Sequence, residues 1–275
     1  MSTKDFIEHL FAQHQKVERS FPDKELAEQF IDQLFNLLFL PNKKDQRVND
    51  LEKAFSLLKG HLLSLAYDVV HKEEKATHIA ETFFDAIPEL YAKLIKDAQA
   101  LLAFDPAARS VEEVIVAYPG FYATAVYRLS HQLWEQGVEV LPRLFTEYSH
   151  SKTGIDIHPG ARIGEAFCID HGTGIVIGET TEIGNNVKIY QGVTLGALNV
   201  SKDNVAKRHP TIEDNVTIYS GATILGGTTV IGKDSIIGGN VWLTYSVPSN
   251  SVVYHKSEIK VRDKNPFPEP LNFVI

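Results

Sequence analysis

Between Ile157 and Leu243, aliphatic residues recur at intervals of six. Ile157, Ile163 and Ile169 lead to Ile177, Ile183, Ile189 and Leu195. After an interruption come Ile212, Ile218 and Ile224, then Ile231, Ile237 and Leu243. Four residues beyond many of these stands a small or β-branched residue: Ala161, Val187, Val193, Val216, Ala222, Ser235 and Val241. Neither a helix nor a simple strand has a period of six. Repeating hexapeptides build a β-solenoid, whose short strands turn the aliphatic inward while small residues and glycines turn the corners. Two extra residues enter before Ile177 and one before Ile231. The longest interruption, Gly196 to Pro210, is polar and carries Lys202, Lys207 and Arg208. Such a segment cannot lie within a coil, so it reads as a loop thrown out of the solenoid, where function concentrates.

The earlier part of the chain has a different rhythm. Phe30, Ile31, Leu34, Phe35, Leu37 and Leu38 fall at helical spacing, as do Ala54, Phe55, Leu58, Leu62 and Leu65. Asp105-Pro106 reads as a helix start, with Asp as cap and Pro in the first turn. Ser110 and Glu113 match a capping box. Pro119-Gly120 breaks that helix, and another runs through Ala123, Val126, Tyr127, Leu129 and Leu133 until Gly137 stops it. This half shows no metal spacing and no phosphate loop, and reads as a packing or oligomerisation domain.

Composition sharpens the division. Of 18 glycines only Gly60, Gly120 and Gly137 precede residue 150. The pattern predicts an α+β chain: a helical domain over 1–150, a β-solenoid over 151–255 with its excursion loop at 196–210, and an extended proline-bearing tail over 256–275. The net charge of −8 disfavours a nucleic-acid binder, which presents a basic face. The single cysteine, Cys168, cannot form an intrachain disulfide. The apolar stretch ending at Leu40 is far shorter than a bilayer span, and the first residues lack a secretory pattern. Together these features predict a cytoplasmic protein.

The segments DIHPGARIG (156–164), IDHGTGIVIGE (169–179), YQGVTLGA (190–197) and KRHPTIEDNV (207–216), with Asp105-Pro106 and YPGFYATAVYRLSHQLW before them, resemble the serine O-acetyltransferase family. The resemblance is close over residues 100–255 and loose before them. It implies a left-handed parallel β-helix with three hexads per coil. It also implies acetyl transfer from acetyl-CoA to the hydroxyl of L-serine, the first step of cysteine biosynthesis. Homotrimers, paired through the helical domain into hexamers, would bind acetyl-CoA between neighbouring β-helices, with no metal.

Residue by residue, the resemblance makes His171 the general base and Asp156 the carboxylate that orients it. The chemistry agrees, since a serine hydroxyl needs a base and histidine is the usual one. Arg208 would hold the substrate carboxylate, with Asp105 and Asp170 at the ammonium and hydroxyl and His209 as a further substrate ligand. Gly196, Ala197, Ser220 and Gly239 match positions that hold CoA, and Lys202 and Lys207 stand where they would meet its phosphates. Cysteine is expected to inhibit from the serine site. Ile275, the last residue, matches the one with which family members enter O-acetylserine sulfhydrylase, a form of terminal carboxylate capture. Ala197 replaces the second glycine of the family's pair, and the loop before RHP is a few residues longer.

Other readings stay open at this point. A hexapeptide acetyltransferase acting on a sugar or xenobiotic would keep His171 without needing the charges of a zwitterion site. A non-catalytic scaffold would need neither. A zinc lyase on the same repeats requires three converging histidines, and those of the solenoid half lack the short spacing. Cys168 reads as an inert buried thiol.

Overall fold

Asp23 starts the second helix of the helical half by accepting a hydrogen bond from the Leu26 N–H at 3.0 Å, the geometry of an N-cap. The computed structural model describes residues 1–16, 21–41, 47–198 and 206–256; Lys202 and Ile275 lie outside the described residues. The helices are α1 (Thr3–Lys16), α2 (Lys24–Phe39), α3 (Val48–Val70), α4 (Glu73–Phe104), α5 (Val111–Ala117), α6 (Pro119–Glu135) and α7 (Leu141–Thr153). Phe30, Ile31, Leu34, Leu58, Leu62 and Leu65 are all buried in one core with Phe83 and Phe145. Ser110 caps α5 through the Glu113 N–H, and the Glu113 carboxylate returns to the Arg109 N–H, one residue before the cap.

One local expectation is corrected. Asp105 does not start a helix. It is the C-cap of the long helix α4, and its carboxylate accepts from the Ala107 N–H at 2.8 Å across an Asx-type turn. The next helix waits for Ser110 because Pro106 and the two alanines form the turn instead.

The solenoid opens with β1 (Asp156–Ile157), β2 (Arg162–Ile163), β3 (Cys168–Ile169), β4 (Val176–Ile177) and β5 (Glu182–Ile183). It continues with β6 (Lys188–Ile189), β7 (Thr194–Gly196), β8 (Thr211–Ile212), β9 (Thr217–Ile218) and β10 (Thr223–Leu225). Then follow β11 (Val230–Ile231), β12 (Ile236–Ile237), β13 (Trp242–Leu243) and β14 (Val252–Val253). All pairings are parallel. Sheet 1 stacks β1-β4-β7-β10-β13, sheet 2 stacks β2-β5-β8-β11, and sheet 3 stacks β3-β6-β9-β12-β14. The result is a left-handed parallel β-helix of triangular section, each of the first four coils contributing one short strand to each face. The aliphatic of nearly every hexad is buried, and Ala161, Val187, Val193, Val216, Ala222, Ser235 and Val241 fill the corners behind it.

Helix α6 docks the helical half onto the first coil. Arg128, only 5% exposed, makes a two-pronged bond to Asp97 of α4, which is 2% exposed. The same guanidinium donates to the carbonyls of Ile163 and Gly164 at 3.2 and 2.6 Å, and Asp97 accepts from the Phe167 N–H at 2.9 Å. Tyr127 donates to the Ala161 carbonyl at 2.6 Å. Cys168 is buried where strand β3 meets α4–α6, and burial pushes its thiol up to about 12, in keeping with an inert side chain.

Candidate active site

The sequence-predicted residues fall on two edges of the triangular solenoid. The edge between sheets 3 and 1 carries Asp170, His171, Ser220 and Gly239. The edge between sheets 1 and 2 carries Gly196, Ala197, Lys207, Arg208 and His209.

On the first edge, the chain leaves β3 through a turn in which His171 takes a positive φ of 58°. The His171 side chain is 69% exposed, and its Nδ1 lies 3.7 Å from Asp170 Oδ1, beyond hydrogen-bond reach. Asp170 itself is buried. Asp105 reaches this corner from the end of α4. Its second carboxylate oxygen accepts from the Tyr118 hydroxyl at 2.6 Å. These two bonds, aided by the nearby His171 ring, hold the Asp105 carboxyl below the usual range, while the carboxylate pushes the Tyr118 phenol up to about 12. Phe104, Tyr190 and Tyr219 continue the corner as an aromatic ladder, with ring centroids 5.3 and 5.0 Å apart. Beside it, Gly174, Gly192 and Gly221 share positive φ values and stack coil on coil. A Cβ on Gly174 or Gly192 would lie 3.5 Å from the next glycine of the column. This leaves a strip free of side chains along the edge. Gly239 backs onto Ser220 farther along it, a Cβ there falling 3.2 Å from the Ser220 carbonyl.

The second edge is organised by Thr180. Its hydroxyl accepts from the backbone N–H groups of Arg208 and His209 at 2.9 and 3.1 Å. His209 Nδ1 accepts from the Thr180 N–H at 3.1 Å, and the Thr180 hydroxyl lies 2.9 Å away with its proton free to donate there. That assignment leaves His209 neutral with its proton on Nε2. Burial, with the Arg208 charge adding to it, drives the His209 imidazole down to about 4. The ring lies flat on Gly178, where a Cβ would fall 2.1 Å from it. Arg208 pairs with Glu179, and Lys207 binds the Thr180 carbonyl at 3.1 Å and Glu182 at 3.3 Å.

The expected Asp156–His171 contact is not made. The corner of His171 does stack directly on the start of β1, because a Cβ on Gly172 would lie 2.5 Å from Ile155 Cδ1. Asp156 nevertheless turns to Arg143 of α7, at 3.4 Å, and helps surround His158. Burial holds the His158 imidazole below its ordinary value. Tyr118, Glu179 and Thr180 were not foreseen as site residues. The last two sit inside the IDHGTGIVIGE segment and just after it, so their position was in view without their partners. A groove of about 940 Å³ between α4, α6 and sheet 2 contains none of the candidate site residues named from the sequence. No three His, Cys, Asp or Glu side chains gather in metal-binding geometry among the described residues. No helix among them is long and apolar enough to cross a membrane.

No family model matches the chain. A plasmid-encoded serine acetyltransferase of Synechococcus elongatus is 49% identical over 198 residues, which are 70% of this chain and 61% of that protein. The Bacillus subtilis serine acetyltransferase is 49% identical over 128 residues, 46% of this chain and 58% of its own length. The chain thus spans about three fifths of these curated relatives. Among solved structures, Entamoeba histolytica serine acetyltransferase 1 in complex with L-cysteine superposes with a TM-score of 0.76 at 34% identity, covering 90% of this chain and 96% of that one. Neisseria gonorrhoeae serine acetyltransferase in complex with serine gives 0.60 at 26%, covering 85% and 95%.

Proposed function

This chain belongs to the serine acetyltransferase family, and on that premise we propose that it transfers the acetyl group of acetyl-CoA to the hydroxyl of L-serine, giving O-acetyl-L-serine and CoA for cysteine biosynthesis. The observation that carries the reading is the division of charge. One edge holds an exposed base with two carboxylates, Asp105 and Asp170, and the other holds Arg208 and a neutral His209. A zwitterion bearing a hydroxyl needs all of these, whereas a sugar needs only the base.

His171 takes the hydroxyl proton as the serine oxygen attacks the thioester carbonyl. The tetrahedral oxyanion collapses, the C–S bond breaks, and the imidazolium returns the proton to the departing CoA sulfur. Asp156 orients the imidazole and stabilises its charged form after exchanging Arg143 for His171. Arg208 binds the serine carboxylate in place of Glu179, a fork suited to planar anions. Asp105 and Asp170 face the ammonium, and His209 donates from Nε2. The glycine strip beside His171, with Ser220 and Gly239 beyond it, accepts the pantetheine arm of acetyl-CoA. Gly196, Ala197 and Lys207 meet the cofactor from the other edge.

Both edges border sheet 1, whose outer surface exposes Val176 and a 65% exposed Trp242. Packing this face around a threefold axis sets the His171 edge of one copy against the Arg208 edge of the next. We therefore assign a homotrimer with composite sites, paired into a dimer of trimers where helical domains meet. The helical domain (1–150) supplies Asp105, the β-helix (151–255) supplies the chemistry, and the tail (256–275) offers Ile275 to O-acetylserine sulfhydrylase. Cysteine inhibits from the serine site, as the cysteine-bound Entamoeba relative supports. The cytoplasm, where these substrates occur, is the assigned location.

The test is CoA release from acetyl-CoA with L-serine, homoserine, a galactoside or no acceptor, for wild type and His171→Ala. Serine-dependent release that falls at least about 100-fold in the variant is expected, the usual contribution of a positioned base. Release with the galactoside alone would transfer the activity to a sugar acceptor. No release with any acceptor would favour a scaffold.

A further inference from the structure

Tyr118 joins two helices and belongs to neither interior. It closes α5 and precedes Pro119 at the start of α6, in the extended backbone that a residue before proline adopts. Two residues on, Gly120 presses against the solenoid so closely that a Cβ would lie 2.2 Å from the Ile169 carbonyl. Ile169 directly precedes Asp170 and His171. The backbone just after Tyr118 is thereby fixed against the strand that leads to the His171 corner, while its side chain packs on the cluster that joins α4, α6 and Cys168.

The Asp105 carboxylate has two oxygens and two donors. Oδ1 takes the Ala107 N–H at 2.8 Å, a bond within its own turn that fixes nothing relative to the solenoid. Oδ2 takes the Tyr118 hydroxyl at 2.6 Å. Among the described residues, that second bond ties the carboxylate to the element packed on the His171 corner. Phe104 packs on Tyr190 and holds the end of α4 against the solenoid, but without the Tyr118 bond the direction of the Asp105 carboxylate would be set only by its own turn.

Building on the serine reading above, we propose that Tyr118 is a positioning residue for acceptor recognition: its hydroxyl locks Asp105 in the orientation that receives the substrate ammonium group. The assignment concerns selectivity for an amino-bearing hydroxy acid. It leaves the proton transfer at His171 untouched, because Tyr118 bonds to Asp105 and the acceptor hydroxyl goes to His171.

The experiment compares Tyr118→Phe with wild type in the full-length oligomer. Two acceptors are used: L-serine, and 3-hydroxypropionate, which keeps hydroxyl and carboxylate but lacks the ammonium. Tyr118→Phe should raise the KM for L-serine about tenfold, the loss of one hydrogen bond to a charged group, with kcat changed less than about twofold. With 3-hydroxypropionate the two proteins should behave alike. In the Asp105→Asn background, adding Tyr118→Phe should change the serine KM no further, because the hydroxyl acts through the carboxylate. An unchanged serine KM, or an equal loss on both acceptors, overturns the proposal and makes Tyr118 a structural link only. Absence of serine-dependent release from the wild type overturns the serine reading itself, and this inference with it.

Discussion

Replacing Arg128 with Met tests what holds the two halves of the chain in register. The guanidinium and the Asp97 carboxylate are 5% and 2% exposed, so neither charge has water to fall back on. In Arg128→Met, Asp97 keeps a single donor, the Phe167 N–H, and burial, which already raises its carboxyl, leaves it either an unpaired charge or a protonated acid. Breaking one partner of such a pair costs about 3–5 kcal/mol. The carbonyls of Ile163 and Gly164 lose their donors as well, at about 1 kcal/mol or more each where water cannot replace them. For a chain of this size each kcal/mol moves Tm by about 2–4 °C, so the ion-pair loss alone predicts a fall of about 6–20 °C. Urea unfolding at fixed protein concentration, followed by fluorescence of Trp134 and Trp242 and by circular dichroism, gives the free energy. Arg128→Met combined with Asp97→Leu should recover most of the ion-pair cost, since replacing both charges with apolar groups is often neutral. The Phe167 N–H lies three residues before Asp170, so the single variant should also lower kcat at temperatures well below its Tm. A single variant within 1 kcal/mol of wild type would refute the argument, because it would mean that water, another cation or a proton relieves the Asp97 charge at little cost.

Four further outcomes are expected. Asp156→Asn should reduce kcat about 100-fold with little change in serine KM, whereas Asp170→Asn should act mainly on KM; steady-state kinetics separate them, and the reverse pattern would move the orienting role to Asp170. Gly178→Ala places a methyl inside the His209 ring position, so it should displace His209 and raise the serine KM while the β-helix still forms by circular dichroism. His209 binds a proton only near pH 4 in the folded chain but near its ordinary 6.5 when unfolded, so the unfolded state gains protons first as pH falls. Stability should therefore decline from about pH 6.5 toward 4, with urea midpoints falling less steeply in His209→Gln. Trp242→Glu, on the exposed face of sheet 1, should reduce the mass seen by light scattering from trimer toward monomer, with activity lost in parallel.

Much of the solenoid was legible because its signal is local and repeated. A buried aliphatic at every sixth position, with a small residue four later, specifies one strand and one corner per hexad whatever lies outside. The capping residue Ser110 and the break at Pro119-Gly120 are local in the same sense. Asp105-Pro106 misled because the pair ends a helix as readily as it begins one; the length of α4 decided it, and that depends on packing against α3 and α6. Asp156 and His171 illustrate the limit at the site. The resemblance paired them, and the turn of His171 does stack on the start of β1, where Ile155 touches the Gly172 position. Where the Asp156 side chain points is decided by Arg143 on a helix outside the repeat, which no period records. Tyr118, Glu179 and Thr180 escaped for the same reason: each acquires its meaning from a partner distant in sequence, Asp105, Arg208 and His209 respectively.

The separation of the two edges also bears on how substrate enters. In a single chain, the charged and titrating neighbours that set the state of His209 are Arg208, Glu179, His158 and Lys207, all from its own edge. Those that act on Asp105 are Tyr118 and His171, beside the Ala107 backbone N–H. The two sets do not overlap, and the carboxylates beside Arg208 and Lys207 on the second edge, Glu179 and Glu182, are already paired with them. Arg208 meanwhile is not idle, because Glu179 occupies its fork. Binding a substrate carboxylate is then an exchange of one carboxylate for another. In the trimer proposed above, its net gain would be small unless the ammonium were met at the same time by Asp105 on the neighbouring copy. On that proposal, recognition of the whole zwitterion would be cooperative: a ligand with the carboxylate alone would have to displace Glu179 without compensation, and one with the ammonium alone would leave Arg208 where it is.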